Sequence, residues 1–213
     1  MRIIDLSIPI TNSTKVYPGD SSPEVKSSRA DSENYMLSTI KLGSHTGTHI
    51  DAPLHALVNG IGLGAQPLDS YIGETLIVDI HDAEAGSIIS IDMIERAWKE
   101  FPHINKIILR TDWHKKCAND STLDYFMDYP ALDMQLADWL VEKGIASIGL
   151  ESPSISATEH MRIHRRLLSA NVVILESLVN VASIKNQIAE IHCVPLNIPG
   201  IDGCPVRAYA IER

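Results

Sequence analysis

Short runs rich in β-branched residues recur at 3–6, 38–42, 75–80, 106–109, 145–150, 171–175, 191–194 and 206–211. Each is bounded by Gly, Pro, Asn or Asp, which predicts strands rather than helices. Between them, three segments carry apolar residues at the helical period. In 91–101 they fall at Ile91, Ile94, Ala97, Trp98 and Phe101, with Ser90 placed as N-cap. In 132–143 they fall at Leu132, Leu136, Trp139 and Leu140, and Gly144 stands as a C-terminal stop. The third, 158–169, sets His160 and His164 on one face at i, i+4. The densest polar stretch, 19–34, predicts an irregular surface connection. Strands dominate the first half and alternate with helices in the second, so the expected class is a mixed α/β domain around a sheet core.

Length bounds this further. The 213 residues suit a single domain over 1–213 with a sizeable core. With 45% hydrophobic and 21% charged residues the chain is an ordinary globular one, not a disordered one. A net charge of −9 and only 5% aromatic residues argue against a nucleic-acid partner. No run of roughly 18 apolar residues exists to span a membrane, and the charged, proline-containing start is not a secretory leader. Cys117, Cys193 and Cys204 are odd in number and scattered, which points to free thiols and a cytoplasmic home.

Chemistry concentrates in Ser44-His45-Thr46-Gly47-Thr48-His49-Ile50-Asp51-Ala52-Pro53-Leu54-His55. In a regular helix Asp51 would face away from His45 and His49, and Pro53 would break the last turn. In a straight strand His45 and His49 would stand ~13 Å apart, too far to share one ion. A bend at Gly47 removes both problems and lets two imidazoles and a carboxylate converge. That donor set suits Zn²⁺ with a position left for water, whose proton is then lost near neutral pH.

The motif His45-Thr46-Gly47-Thr48-His49-Ile50-Asp51-Ala52-Pro53-Leu54-His55 resembles the signature of the cyclase family of metal-dependent hydrolases, which includes bacterial kynurenine formamidase and isatin hydrolase. Similarity extends to Ile4-Asp5-Leu6-Ser7, Val16-Tyr17-Pro18-Gly19-Asp20, Pro67-Leu68-Asp69, Tyr71-Ile72-Gly73, Leu109-Arg110-Thr111 and Gly203-Cys204-Pro205-Val206-Arg207-Ala208. The resemblance implies that His45, His49 and Asp51 hold one divalent ion, and that Asp51 bridges to a second completed by His164 and Glu176. It implies His55 as acid/base. It also implies a compact α/β domain with a barrel-like or swivelling core, flanking helices, and homodimers or homotetramers.

Residue chemistry supports the second pair separately. Glu176 closes the apolar run Val172-Val173-Ile174-Leu175, where a lone ionised carboxylate is costly. Its partner is either a cation or one of Arg165 and Arg166. His160 reads as a surface or packing histidine. His81, His103, His114 and His192 carry no chelating companion at suitable spacing, and Glu151-Ser152-Pro153-Ser154 lacks a glycine-flanked nucleophile elbow, so a structural turn is expected there. Thr48 and Ser44 are expected to orient the loop.

The resulting expectation is hydrolysis of an amide-type bond in a small molecule, with His55 shuttling the proton. N-formylkynurenine is the first candidate; a cyclic amide or ester such as isatin is the second. The segment Arg110-Thr111-Asp112-Trp113-His114, Tyr129-Pro130-Ala131-Leu132 and Glu151 depart from the formamidase pattern. Zn²⁺ suits the ligands, and Mn²⁺ is the other choice. A protein that binds metal without catalysis is the remaining alternative.

Overall fold

The computed structural model describes residues 1–29 and 35–213. Its strands are β1 (Arg2–Asp5), β2 (Glu24–Arg29), β3 (Met36–Lys41), β4 (His49–Asp51), β5 (Ile72–Asp79), β6 (Lys106–Arg110), β7 (Ser147–Leu150), β8 (Val173–Glu176), β9 (Ile188–His192), β10 (Gly203–Pro205) and β11 (Tyr209–Glu212). Its helices are α1 (Pro53–Ala56), α2 (Ile91–Glu100), α3 (Trp113–Asn119), α4 (Met134–Glu142) and α5 (His160–Ser169).

Nine strands form one sheet in the order β1-β11-β9-β5-β6-β7-β8-β4-β10, and β2 and β3 form a separate hairpin. The central β5-β6-β7-β8 ladder is parallel, and the strands flanking it on both sides are antiparallel. The sheet curls into a half-barrel with few helices, as expected for a mixed α/β chain.

Both faces of the parallel ladder are covered, which is why its strands read as continuous apolar runs instead of alternating ones. Ile107, Leu109, Ile148, Leu150 and Ile174 pack towards Ile94 of α2, Leu136 and Leu140 of α4, and Ile163 and Leu167 of α5. The intervening Ile108, Val173 and Leu175 face a second layer with Ile50, Ile191, Cys204 and Ala210. Fully burying each such side chain contributes about 1.5–3 kcal/mol, so the ladder carries much of the core's stabilisation.

Helix boundaries follow local chemistry. The Asp133 carboxylate accepts from Leu136 N at 2.8 Å and starts α4, and Gly144 at φ +69° stops the chain soon after it. Ser90 precedes α2 but makes no side-chain cap bond. Two helices were not legible in the sequence: α1 is four residues long and begins on Pro53, and α3 follows Asp112, itself at φ +54°. The expectation of an irregular connection over 19–34 is corrected, because Glu24–Arg29 is a strand paired with β3 from Glu24↔Lys41 to Arg29↔Met36. Its serines and charges carry no apolar alternation, since β3 is exposed along its whole length. Residues 30–34 of that stretch lie outside the described residues. The strand expected at 191–194 sits earlier, at Ile188–His192, where β5 and β11 fix its register.

Candidate metal centre

The motif bends where glycine permits it. Gly47 takes φ +66°, a left-handed conformation that costs other residues more. Thr48 then locks the bend: its hydroxyl donates to Ser177 O at 2.6 Å and accepts from Ile8 N at 2.9 Å. Beyond it the chain is extended, so His49 and Asp51 share one face while Ile50 enters the apolar layer. Antiparallel pairing with β8 sets His49 opposite Glu176, and pairing with β10 sets Asp51 opposite Gly203. Helix α5 brings in His164, and α1 carries His55.

Five of the residues singled out for metal binding meet here. His45 Nδ1 lies 2.9 Å from Asp51 Oδ1 and His49 Nε2 lies 3.5 Å from the same oxygen. His164 Nε2 lies 3.2 Å from Asp51 Oδ2. Glu176 turns one oxygen to each side: Oε2 is 3.4 Å from His49 Nε2, and Oε1 is 3.4 Å from His164 Nε2. Asp51 and Glu176 therefore each face both groups of imidazoles. His49, Asp51, His164 and Glu176 are all buried. Neither arginine weighed as a partner for Glu176 takes that place; Arg166 pairs with Asp138.

The donor set fits a divalent cation. His49 Nε2, both carboxylate oxygens of Asp51 and Glu176 Oε1 are buried without a hydrogen-bond partner among the described residues. Leaving such groups unsatisfied costs about 1–3 kcal/mol each, more for charges. His45, Asp51 and His55 on one side, and His49, Asp51 and Glu176 on the other, offer ligand atoms within 4.8 Å of one another. Nitrogen and carboxylate oxygen donors are what Zn²⁺ and Mn²⁺ accept.

Electrostatics agree. Burial opposes ionisation of Asp51, yet the facing His164 and His45 hold its carboxyl well below the usual range. Burial likewise disfavours charge on His164, but Asp51 and Glu176 push it up to about 10. Such a surplus of negative partners is what a cation would relieve. His55 behaves differently: burial, reinforced by His45 and His164, keeps it below its ordinary value. A cavity of about 190 Å³ opens onto the cluster, walled by Tyr17, Tyr125, Phe126 and Met161 among others.

The remaining histidines have ordinary surroundings. His81 pairs with Asp79, His192 pairs with Glu190 and stacks on Tyr209, and His103 is exposed. The side chain of His160 lies outside the described residues. Ser152 is part of a turn, donating to Ser154 O at 2.7 Å. Sequence reading passed over Asp202, whose Oδ2 lies 3.0 Å from His45 Nε2 and 3.7 Å from His55 Nδ1. It is about 150 residues from the motif, and only the β10–β4 pairing brings it near.

Glu151 also gains a role. Its Oε2 accepts from Thr111 N at 2.7 Å and Asp112 N at 2.6 Å, fixing the start of α3. Burial outweighs those bonds and raises its pKa from 4.5 to about 7. The folded state thus binds more protons than the unfolded chain between those values, so stability falls as pH rises through the window. In Glu151→Gln the amide oxygen still accepts both bonds but nothing titrates. Denaturant melts across the window are expected to lose a slope of up to ~1.4 kcal/mol per pH unit. Profiles parallel to the parent would contradict this.

Comparisons with known proteins agree with the geometry. Residues 4–157 match the model of the Cyclase family, described as "Putative cyclase". The kynurenine formamidase of Bacillus thuringiensis subsp. konkukian is 33% identical over 210 residues, covering 96% of this chain and 95% of that relative. That of Bordetella petrii is 29% identical over 216 residues, covering 99% and 98%. Among solved structures, isatin hydrolase A from Labrenzia aggregata bound to benzyl benzoate superposes with a TM-score of 0.83 at 22% identity, covering 98% of this chain and 93% of that one. A bent motif of histidines and aspartate, its cross-strand glutamate and the full-length matches thus converge: this chain belongs to the "Putative cyclase" family.

Proposed function

We propose that residues 1–213 form one domain that hydrolyses amide-type C–N bonds with a divalent metal, in the manner of an arylformamidase. N-formylkynurenine, cleaved to kynurenine and formate, is the proposed substrate. The observation that carries this reading is the convergence of His45, His49, Asp51, His164 and Glu176, with orphaned buried oxygens, at the floor of a cavity beside His55.

The five residues would hold the metal, zinc in first place and manganese as the other choice. When bound, such a cation supplies Lewis acidity towards the amide carbonyl and towards water. His55 does the proton work. Burial favours the neutral form of its imidazole, which can accept a proton from the attacking water and return it to the departing nitrogen. Tyr17 and Phe126, edge to face at 5.9 Å, and Tyr125 against Phe126 at 5.1 Å offer aromatic walls. An aryl amide of one ring suits them.

Full-length similarity to relatives named kynurenine formamidase favours the open-chain arylformamide over a lactam such as isatin. The metal-loaded protein is expected to release formate from N-formylkynurenine and to turn over isatin much more slowly. Turnover of isatin alone would reassign the substrate. Full metal content with no hydrolysis of either would favour a binding protein.

A homodimer or homotetramer is proposed as the assembly. Among the described residues hairpin β2–β3 joins no other sheet, and Met36, Leu37 and Ile40 are more than half exposed on it. A second copy of the chain would cover them. No described helix is long and apolar enough to cross a membrane, and the three free cysteines suit the reducing cytoplasm.

A further inference from the structure

We propose that Asp202 is a positioning residue for the metal centre: its carboxylate accepts a hydrogen bond from His45 Nε2–H and so presents the Nδ1 lone pair to the cation. This rests on the reading of His45 as a ligand, and it adds a residue that selects which nitrogen does the binding.

Three observations carry it. His45 Nε2 is 3.0 Å from Asp202 Oδ2, while Nδ1 is turned to Asp51 Oδ1 at 2.9 Å. A carboxylate only accepts, so the Nε2 edge of the ring donates to Asp202; the Nδ1 edge faces the Asp51 carboxylate, and a cation bound beside Asp51 would take the Nδ1 lone pair in place of a proton. Second, the Asp202 backbone is registered to the motif: Ala52 N donates to Asp202 O at 2.8 Å, and the next residue, Gly203, pairs with Asp51. The carboxylate therefore stays in step with the strand that carries Asp51. Third, the ring rests directly on Gly203, where an added Cβ would come 2.7 Å from His45 Cε1 and 2.9 Å from Nε2. Glycine there leaves room for the imidazole against β10 with its Nε2 edge at Asp202.

His49 supports the same logic by contrast. Its Nδ1 is bonded to Gly47 O at 2.8 Å, which leaves Nε2 for the cluster. Two neighbouring histidines are thus presented through opposite nitrogens, each chosen by the acceptor behind it. The carboxylate of Asp202 lies beyond the far edge of the ring and, unlike that of Asp51, is part-exposed. It serves the cluster through His45, not as a member of it.

The test is a chelator competition for Zn²⁺ on the full chain, comparing wild type, Asp202→Ala, Asp202→Asn, His45→Ala and the double variant. Asp202→Ala is expected to weaken Zn²⁺ binding 10–100-fold. Asp202→Asn, whose amide oxygen still accepts the Nε2 proton, restores most of the affinity. In the His45→Ala background the second substitution costs nothing further, because its route of action is gone. A merely structural loss would persist in that background and lower the melting temperature of the metal-free protein. Wild-type affinity in Asp202→Ala, or an undiminished loss beside His45→Ala, overturns the proposal. Failure of the wild type itself to take up Zn²⁺ overturns the metal reading beneath it, a different result.

Discussion

Replacing Asp51 with asparagine empties the metal centre and lowers kcat/KM by ~10³-fold or more, equivalent to about 4 kcal/mol of barrier. Asp51 is the group that every imidazole of the cluster faces: His45 and His49 at Oδ1, His164 at Oδ2. An amide keeps the shape and one weaker acceptor, but loses the charge and the second donor oxygen. The fold is expected to survive, since Asp51 holds its place in the sheet through backbone pairing with Ile174 and Gly203. Elemental analysis alongside an arylformamide assay reads both effects. Parent-like metal content with intact activity would remove Asp51 from the centre.

His55→Ala separates proton transfer from metal binding. The expected loss is about 10²–10⁴-fold in kcat, the usual contribution of a positioned acid/base, with metal content unchanged. As the proposed acid/base, His55 is also expected to set the acid side of the pH profile. Burial lowers its pKa below the ordinary 6.5, and only the unprotonated ring can accept a proton. Activity is therefore expected to rise with pH through a limb on the acid side of the ordinary histidine range. In the alanine variant that limb disappears from the residual rate. Loss of metal together with activity would instead make His55 a ligand, which its place beside His45 and Asp51 makes the sharpest alternative.

Much of this was legible because the chemistry is local. His45, His49, Asp51 and His55 fall within eleven residues, and the failure of both regular helix and straight strand to gather them leaves a bend at Gly47. The parallel strands were equally plain, since burial on two faces writes unbroken apolar runs such as Ile107-Ile108-Leu109. What escaped was set by tertiary pairing. Strands β4 and β10 are three residues long, and their polar or proline-bearing residues carry no strand pattern; they exist because β8 and each other supply hydrogen bonds. Asp202 was invisible for the same reason. In the hairpin strand β2, Lys26, Ser27 and Ser28 are all exposed, so no buried face imposes alternation on them. Glu151 shows the converse: its position was noticed, but its grip on the Thr111 and Asp112 amides depends on β6 and β7 lying side by side.

The most direct test of the central claim is anomalous diffraction at the zinc edge from crystals of the zinc-loaded protein. A peak is predicted within the cluster formed by His45, His49, Asp51, His164 and Glu176. Fully loaded crystals with no peak at this cluster, or with zinc bound only elsewhere, would contradict the account.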